Sequence, residues 1–302
     1  MKNLHYLNIQ GKQVRISNPD KVFWPQTGTT KGEMLEYYIK ISPWLLPCLK
    51  GRLVSLQRFP HGVRGRGFYQ KNCPDNAPEW VKTYSLQGKS GKETRYVLIE
   101  DLPTLIWLAN LGVIEFHPWL SSVVSLDYPD YAVFDLDPME RYGIDEVRQV
   151  AQGIGELLRK LGLIGQVKTS GATGLQVFVP LAPIYSYQQV RDFVHACCQI
   201  IHNAFSQWTT LERSIANRQG KIYLDYMQNA RGQTIVSAYS LRPQPIPSLS
   251  FPLDWEDLRR PIDPGDYSLH TLSKTSIFPA WAEKTPGQRL EKAAEVIKNM
   301  LY

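Results

Sequence analysis

In the run "YAVFDLDP", Asp135 and Asp137 stand two residues apart among β-branched and aromatic neighbours. On a strand that spacing puts both carboxylates on one face, close enough to repel each other. Hard divalent cations with oxygen ligands offset such repulsion best. Pro138 follows at once and ends the strand, which predicts an edge position where a substrate can reach the pair. A solvated acidic strand end would show the same spacing, so the pair alone leaves both readings open. A second run, "KIYLDYMQN", sets Asp225 among apolar and aromatic residues, where a lone carboxylate is costly. Three carboxylates from two strands could cage a pair of Mg²⁺ or Mn²⁺ ions, as in-line phosphoryl or nucleotidyl transfer requires. The spacing makes that geometry possible without establishing that the strands converge.

The stretch "KTSGATGLQVFVPL", residues 168–181, reads as two strands hinged on a glycine-rich bend. Ser170, Gly171 and Gly174 lie on the bend, whose backbone N–H groups could turn outward toward an anion, with Lys168 and Ser170 as further donors. Hairpin turns need glycines in any case, so an ordinary β-turn is the competing reading. The segment is no Walker loop, because no Gly-Lys-Ser/Thr follows.

The elements that must position these residues are legible from caps and periodicity. Thr30 and Glu33 form a capping-box pattern ahead of a helix running toward Gly51, which Pro43 and Pro47 should kink or divide. Asp101, Pro103 and Gly112 mark the start and stop of a second helix. Helical spacing recurs in "DEVRQVAQGIGELLRKLG", "SYQQVRDFVHACCQIIHNAF" and "PGQRLEKAAEVIKNML". Strand-like runs are an opening hairpin, "VIEFHPW", "YAVFDLDP", "KIYLDYMQ" and "QTIVSAYSLR". Their irregular alternation with helices predicts an α/β class fold with mixed, α+β sheets rather than a strictly parallel one.

The chain has 302 residues, 43% of them hydrophobic, enough for one large core or two lobes of one catalytic unit. No repeat or long linker divides it, so a single unit is expected. Lys and Arg outnumber Asp and Glu by 34 to 28, a formal charge of +6 that suits a polyanionic partner and is also common among soluble enzymes. The first residues lack a secretory apolar stretch and no run approaches a membrane span, which predicts a cytoplasmic protein with no membrane partner. Cys48, Cys73, Cys197 and Cys198 show no CxxC pairing and read as structural.

In this order, "NPDKVFWPQTGTTKGEMLEYY", "GRGFYQKNCP", "GVIEFHPW", "YAVFDLDP", "KTSGATGLQVFVPL", "IYLDYMQNARGQT" and "AYSLRPQP" resemble the polymerase domain of bacterial LigD and its stand-alone relatives. That family belongs to the archaeo-eukaryotic primase superfamily and acts in non-homologous end joining. The matching stretches run from about residue 16 to residue 260. The resemblance implies a primase-like core with an RRM-like palm at about residues 116–260, a part binding DNA ends at about 1–115, and a helical tail at about 261–302. It implies that Asp135, Asp137 and Asp225 are catalytic and hold two Mg²⁺ or Mn²⁺ ions, with Asp225 beside the primer 3′-hydroxyl. Ser170, Gly171, Gly174, Gln176, Lys168, Arg242 and His117 fall on nucleotide-binding positions. Lys21 and Lys31 fall on positions that bind a 5′-phosphate, and Lys31 would also sit near a helix start, where anions are favoured. Phe68, Tyr69 and Lys71 resemble the element that stacks on a template base, an aromatic and cationic pairing suited to single strands. Arg218 matches a loop arginine used in placing the 3′ end.

The family's hairpin reads Ser-Gly-x-x-Gly-x-His, often with Lys before the second Gly. Here the His position is Gln176 and the Lys position is Thr173. Gln can donate a hydrogen bond but cannot act as an acid, so it could hold a phosphate oxygen and could not protonate a leaving pyrophosphate. Loss of the Lys cation should weaken triphosphate binding by about 1.5–3 kcal/mol unless another cation substitutes, with Arg231 and Lys168 as the candidates.

The resemblance therefore implies a metal-dependent, template-directed primase-polymerase that fills gaps or extends overhangs and breaks in 5′-phosphorylated DNA, using NTPs and dNTPs. Its implied partners are a separate DNA ligase and Ku, with the protein at the nucleoid. Two other readings stand beside it: a catalytically weak module that holds 5′-phosphorylated ends, and a polymerase of excision repair or priming.

Overall fold

Ala132, Val133, Phe134 and Leu136 are each at most 1% exposed, so their strand is covered on both faces. In the computed structural model, which describes residues 4–88, 91–272, 281 and 285–301, this strand lies inside a sheet. The chain forms two compact units. One is built from Met1–Trp119, Thr234–Ser250 and Tyr267–Phe278, the other from Leu120–Gln233, Phe251–Asp266 and Pro279–Tyr302.

The first unit opens with a hairpin of β1 (Leu4–Ile9) and β2 (Lys12–Ser17), followed by the short antiparallel pair β3 (Val22–Trp24) and β4 (Thr29–Thr30). Helix α1 (Lys31–Leu49) starts on the expected capping box at Thr30 and Glu33. It continues through Pro43 and Pro47 as one helix, so the prolines do not divide it. One reason is local: the Ile39 carbonyl, which Pro43 cannot reach with an N–H, accepts the Ser42 hydroxyl at 2.9 Å. β5 (Arg52–Arg58), β6 (Phe68–Gln70) and β9 (Val113–Ser122) make a three-stranded sheet in the order β6-β5-β9. β7 (Thr83–Gln87) and β8 (Glu93–Val97) form a further hairpin. Helix α2 (Leu102–Asn110) is capped by Asp101, and Gly112 follows with φ +85°. The run "QTIVSAYSLR" does not form the expected strand. Tyr239 takes φ +66° and reverses the chain, leaving only the isolated bridges Trp119 to Thr234 and Leu241 to Leu249.

The second unit is built on a six-stranded sheet of β10 (Tyr131–Asp137), β11 (Gln166–Thr169), β12 (Leu175–Pro180), β13 (Thr209–Thr210), β14 (Ile222–Asp225) and β15 (Pro252–Leu253). Its order is β13-β14-β10-β12-β11-β15, with only β13 and β14 parallel, a mixed sheet as expected. Helices α3 (Ile144–Lys160) and α4 (Tyr187–Ala204) bury amphipathic faces against β12 and β10 respectively. Helix α5 (Leu269–Leu272) belongs to the first unit and α6 (Glu291–Leu301) packs on α4 in the second. The strand of the Asp pair is thus third of six rather than an edge strand; the opening is at its end, where Asp137 is exposed.

Two devices seat β10. β14 gives way after Asp225 to a 3₁₀ turn, Tyr226–Asn229, and the Asn229 side chain takes over the pairing. Its amide donates to Val133 O at 2.7 Å and accepts from Val133 N at 2.8 Å, as a strand backbone would. On the other side, a Cβ at Gly174 would lie 2.2 Å from Leu136 O, so the hairpin can approach β10 only without a side chain there. Gly174→Ala should therefore destabilise the protein by about 1–3 kcal/mol in denaturant unfolding. An unchanged midpoint would show that the approach is not a steric requirement.

Candidate active site

Strand register brings four polar side chains into one row. Asp135 on β10 faces Asp225 on β14 and, on its other side, Gln176 on β12, which in turn faces Lys168 on β11. Directly opposed residues share a face of the sheet. Asp137 lies two residues beyond Asp135 on that same face, and carboxylate oxygens of the three Asp residues lie within 4.8 Å of one another.

The three differ in setting. Asp135 is 5% exposed, Asp225 half-buried and Asp137 exposed. Burial, and then the Asp137 charge, push Asp135 up to about 7, opposed by the hydrogen bond from Gln176. Burial also raises Asp225, against stabilising contacts from the Tyr223 side chain and the Met227 N–H, the latter at 2.9 Å. Asp135 Oδ1 accepts from Gln176 Nε2 at 3.0 Å and Oδ2 from Gln228 Nε2 at 3.4 Å. Gln176 Oε1 accepts a hydrogen bond from Lys168 Nζ. Lys168 is fully buried, and its amine also lies 5.5 Å from the Phe178 ring centroid.

The bend of the hairpin differs from an outward-facing nest. The N–H groups of Ala172 and Gly174 both donate to Ser170 Oγ at 3.1 Å, because a serine at the start of a turn satisfies them locally. Thr173 lines a cavity of about 450 Å³ with Ala172, Pro138 and Met139. Arg231, a candidate replacement cation, pairs with Asp127 at 2.7 Å. Arg218 stacks 3.9 Å from the Tyr223 ring centroid and donates to Glu212 O and Arg213 O.

In the first unit, His117 and Arg242 meet on a residue that the sequence reading passed over. Glu115, 1% exposed, takes His117 Nε2 on Oε2 at 2.8 Å and forms an ion pair with Arg242 Nε at 2.6 Å through Oε1, a charge contact without hydrogen-bond alignment. Its signal was present, since residues 115 and 117 share a strand face; the same i, i+2 logic links Tyr223 to Asp225. Tyr69 meets the His117 ring edge-on at 5.5 Å. Phe68 and Tyr69 are 45% and 59% exposed on β6, Arg58 lies over the Phe68 ring, and Lys71 is exposed just beyond.

Lys21 is half-buried and donates to Pro60 O at 2.8 Å. Lys31 is only 3% exposed. Its Nζ donates to Ser17 O at 2.6 Å, Ser17 Oγ at 3.2 Å and Asn110 Oδ1 at 2.7 Å, tying β2 to the end of α2. Burial, and then Lys21, lower its pKa to about 8. Cys73, Cys197 and Cys198 are buried thiols, and Cys48 Sγ donates to Trp44 O at 3.4 Å. No described helix is long and apolar enough to cross a membrane.

The raised Asp135 pKa fixes a sign for pH dependence. Its folded value exceeds that of an unfolded aspartate, so its contribution is most favourable below about pH 4 and is lost as pH rises through about 7. In chelator-treated protein, melting between pH 4 and 8 should show the wild type falling relative to Asp135→Asn. Parallel curves would contradict this electrostatic account of the site.

Residues 30–276 match the family described as LigD, primase-polymerase domain. The bifunctional non-homologous end joining protein LigD of Bacillus subtilis is 34% identical over 261 residues, covering 86% of this chain and 42% of that protein. The multifunctional LigD of Mycolicibacterium smegmatis is 33% identical over 252 residues, covering 83% of this chain and 33% of its own length. This chain thus spans less than half the length of these relatives. A solved structure, the polymerase domain from Mycobacterium tuberculosis Ligase D in complex with DNA, superposes with a TM-score of 0.79 at 28% identity, over 86% of this chain and 94% of that one. The α+β fold and the match along most of its length agree: the chain belongs to the LigD primase-polymerase domain family, DNA-directed nucleotidyltransferases.

Proposed function

We propose that this protein is a metal-dependent, template-directed primase-polymerase that fills short gaps or extends ends at 5′-phosphorylated DNA breaks in non-homologous end joining. The observation that carries the reading is the convergence of Asp135, Asp137 and Asp225 within 4.8 Å. An all-carboxylate donor set suits Mg²⁺ or Mn²⁺, and a buried Asp135 displaced toward its neutral form is a site short of positive charge. When bound, such ions would offset the charge that builds on the nucleotide α-phosphate and lower the pKa of the primer 3′-hydroxyl. Asp225, the half-buried member, would lie beside that hydroxyl, with Arg218 helping to place the 3′ end.

Ser170, Gly171 and Gly174 are proposed to shape the triphosphate cradle, for which the cavity beside Thr173 offers room. Arg242 and His117, preorganised on Glu115, are proposed nucleotide contacts, with Arg242 supplying a charge-assisted donor. Exposed Phe68 and Tyr69 with Lys71 suit stacking on a template base. For the 5′-phosphate, Lys21 is the primary contact in this reading and Lys31 supports it, since the Lys31 amine already has three acceptors. Support for DNA as partner comes from the solved relative, a polymerase domain in complex with DNA, and for end joining from the relatives' names. Use of both NTPs and dNTPs, a separate ligase and Ku as partners, and a place at the cytoplasmic nucleoid belong to the same reading.

Extension of a primer across a one-nucleotide gap with Mn²⁺, with and without the downstream 5′-phosphate, tests it directly, rNTPs and dNTPs being offered separately. The wild type should extend, more efficiently with the phosphate, and Asp137→Ala should lose about a hundredfold or more while keeping phosphate-dependent binding. Absence of extension on every gapped substrate would sink the reading. Thr173→Lys should lower the apparent nucleotide KM about tenfold, in line with a charged hydrogen bond. An unchanged KM would remove Thr173 from the cradle.

A further inference from the structure

The hairpin strands carry Lys168 and Gln176 at directly opposed positions, and Gln176 opposes Asp135 in turn. A primary amide has one donor end and one acceptor end, and its direction is set by its neighbours. Lysine nitrogen faces Gln176 Oε1, and the carboxylate faces Nε2. A charged lysine can only donate and an ionised carboxylate can only accept, so this is the one direction that satisfies both. Reversed, the amide would set its carbonyl oxygen against the Asp135 carboxylate and its N–H₂ against the ammonium group. Both side chains are buried, at 0% and 4% exposure, so water cannot substitute for either contact.

We propose that Lys168 and Gln176 are positioning residues for the metal site, forming a relay of fixed polarity that orients the Asp135 carboxylate, rather than contacts to the nucleotide. The inference rests on the reading of Asp135, Asp137 and Asp225 as metal ligands. Lys168 anchors the amide oxygen, the amide presents one N–H to Asp135 Oδ1, and Gln228 reaches Oδ2. Partners of this kind fix the orientation of a ligating carboxylate, and their loss commonly weakens metal binding 10–100-fold. A glutamine suits the position because the relay needs a donor and an acceptor on one side chain, not a transferable proton. Neutral histidine meets the same requirement, whereas glutamate would point an acceptor at Asp135 and leucine neither group.

The test is Mn²⁺ affinity of the full chain, free of DNA and nucleotide, measured by electron paramagnetic resonance, with circular dichroism and melting run on each variant. Gln176→His should stay within about threefold of wild type, Gln176→Leu and Lys168→Met should each weaken binding about tenfold or more, and Gln176→Glu should weaken it most. The double variant Lys168→Met with Gln176→Leu should be no weaker than either single one, because the two act as one unit. Should Lys168→Met fail to fold, the order His, Leu, Glu at position 176 decides. Equal Mn²⁺ affinity across that series, with nucleotide KM raised instead, would overturn the proposal and return both residues to the nucleotide. Wild-type protein that binds no Mn²⁺, or binds it equally well as Asp137→Ala, would instead overturn the metal reading beneath it.

Discussion

Three carboxylates held within 4.8 Å of one another repel, and much of the second unit is arranged so that the fold tolerates that repulsion. Asp135 bears the most of it, since it is buried on a central strand beside the other two. An amide N–H meets each of its oxygens, from Gln176 and Gln228, while the Met227 N–H and Tyr223 contact Asp225. These donors reduce the cost of burial without removing it, as the elevated Asp135 pKa records. A cluster this costly is one that a cation would relieve, and that is the physical argument behind the proposed polymerase reading.

The local elements were legible because their signals are local. Capping boxes, helix stops and the two-residue spacing of Asp135 and Asp137 depend on neighbours within a few positions, and each lies where the spacing puts it. Features set by distant partners were not. Pro138 reads as the mark of an edge strand, yet β10 is interior, because Asn229 and β12 complete its pairing from 96 and 41 positions along the chain. Lys31 reads as a cation open to a phosphate at a helix start, yet Ser17 and Asn110 converge on its amine and let it be buried. "QTIVSAYSLR" carries strand propensity throughout, and a single left-handed Tyr239 overrides it. The spacing of Glu115 and His117 is local and puts them on one strand face, whereas Arg242, the other partner of Glu115, comes from far along the chain.

Gln176 shows how a sequence departure changes meaning once neighbours are known. Set against the family's histidine it reads as a lost acid. Set between Lys168 and Asp135 it is an oriented amide in a chain of hydrogen bonds across three strands, in which proton transfer has no part. Gly174 belongs to the same device, since its missing side chain lets the hairpin close on the Leu136 carbonyl and holds β12 in register with the Asp pair.

The most direct test of the central claim is anomalous diffraction at the manganese edge from crystals grown with Mn²⁺, gapped DNA and a non-hydrolysable nucleotide. The account predicts manganese peaks at about 2.2 Å from carboxylate oxygens of Asp135 and Asp137, with Asp225 on one of them. Anomalous density bound to the nucleotide phosphates alone, with no peak within coordinating distance of any of the three aspartates, would contradict it.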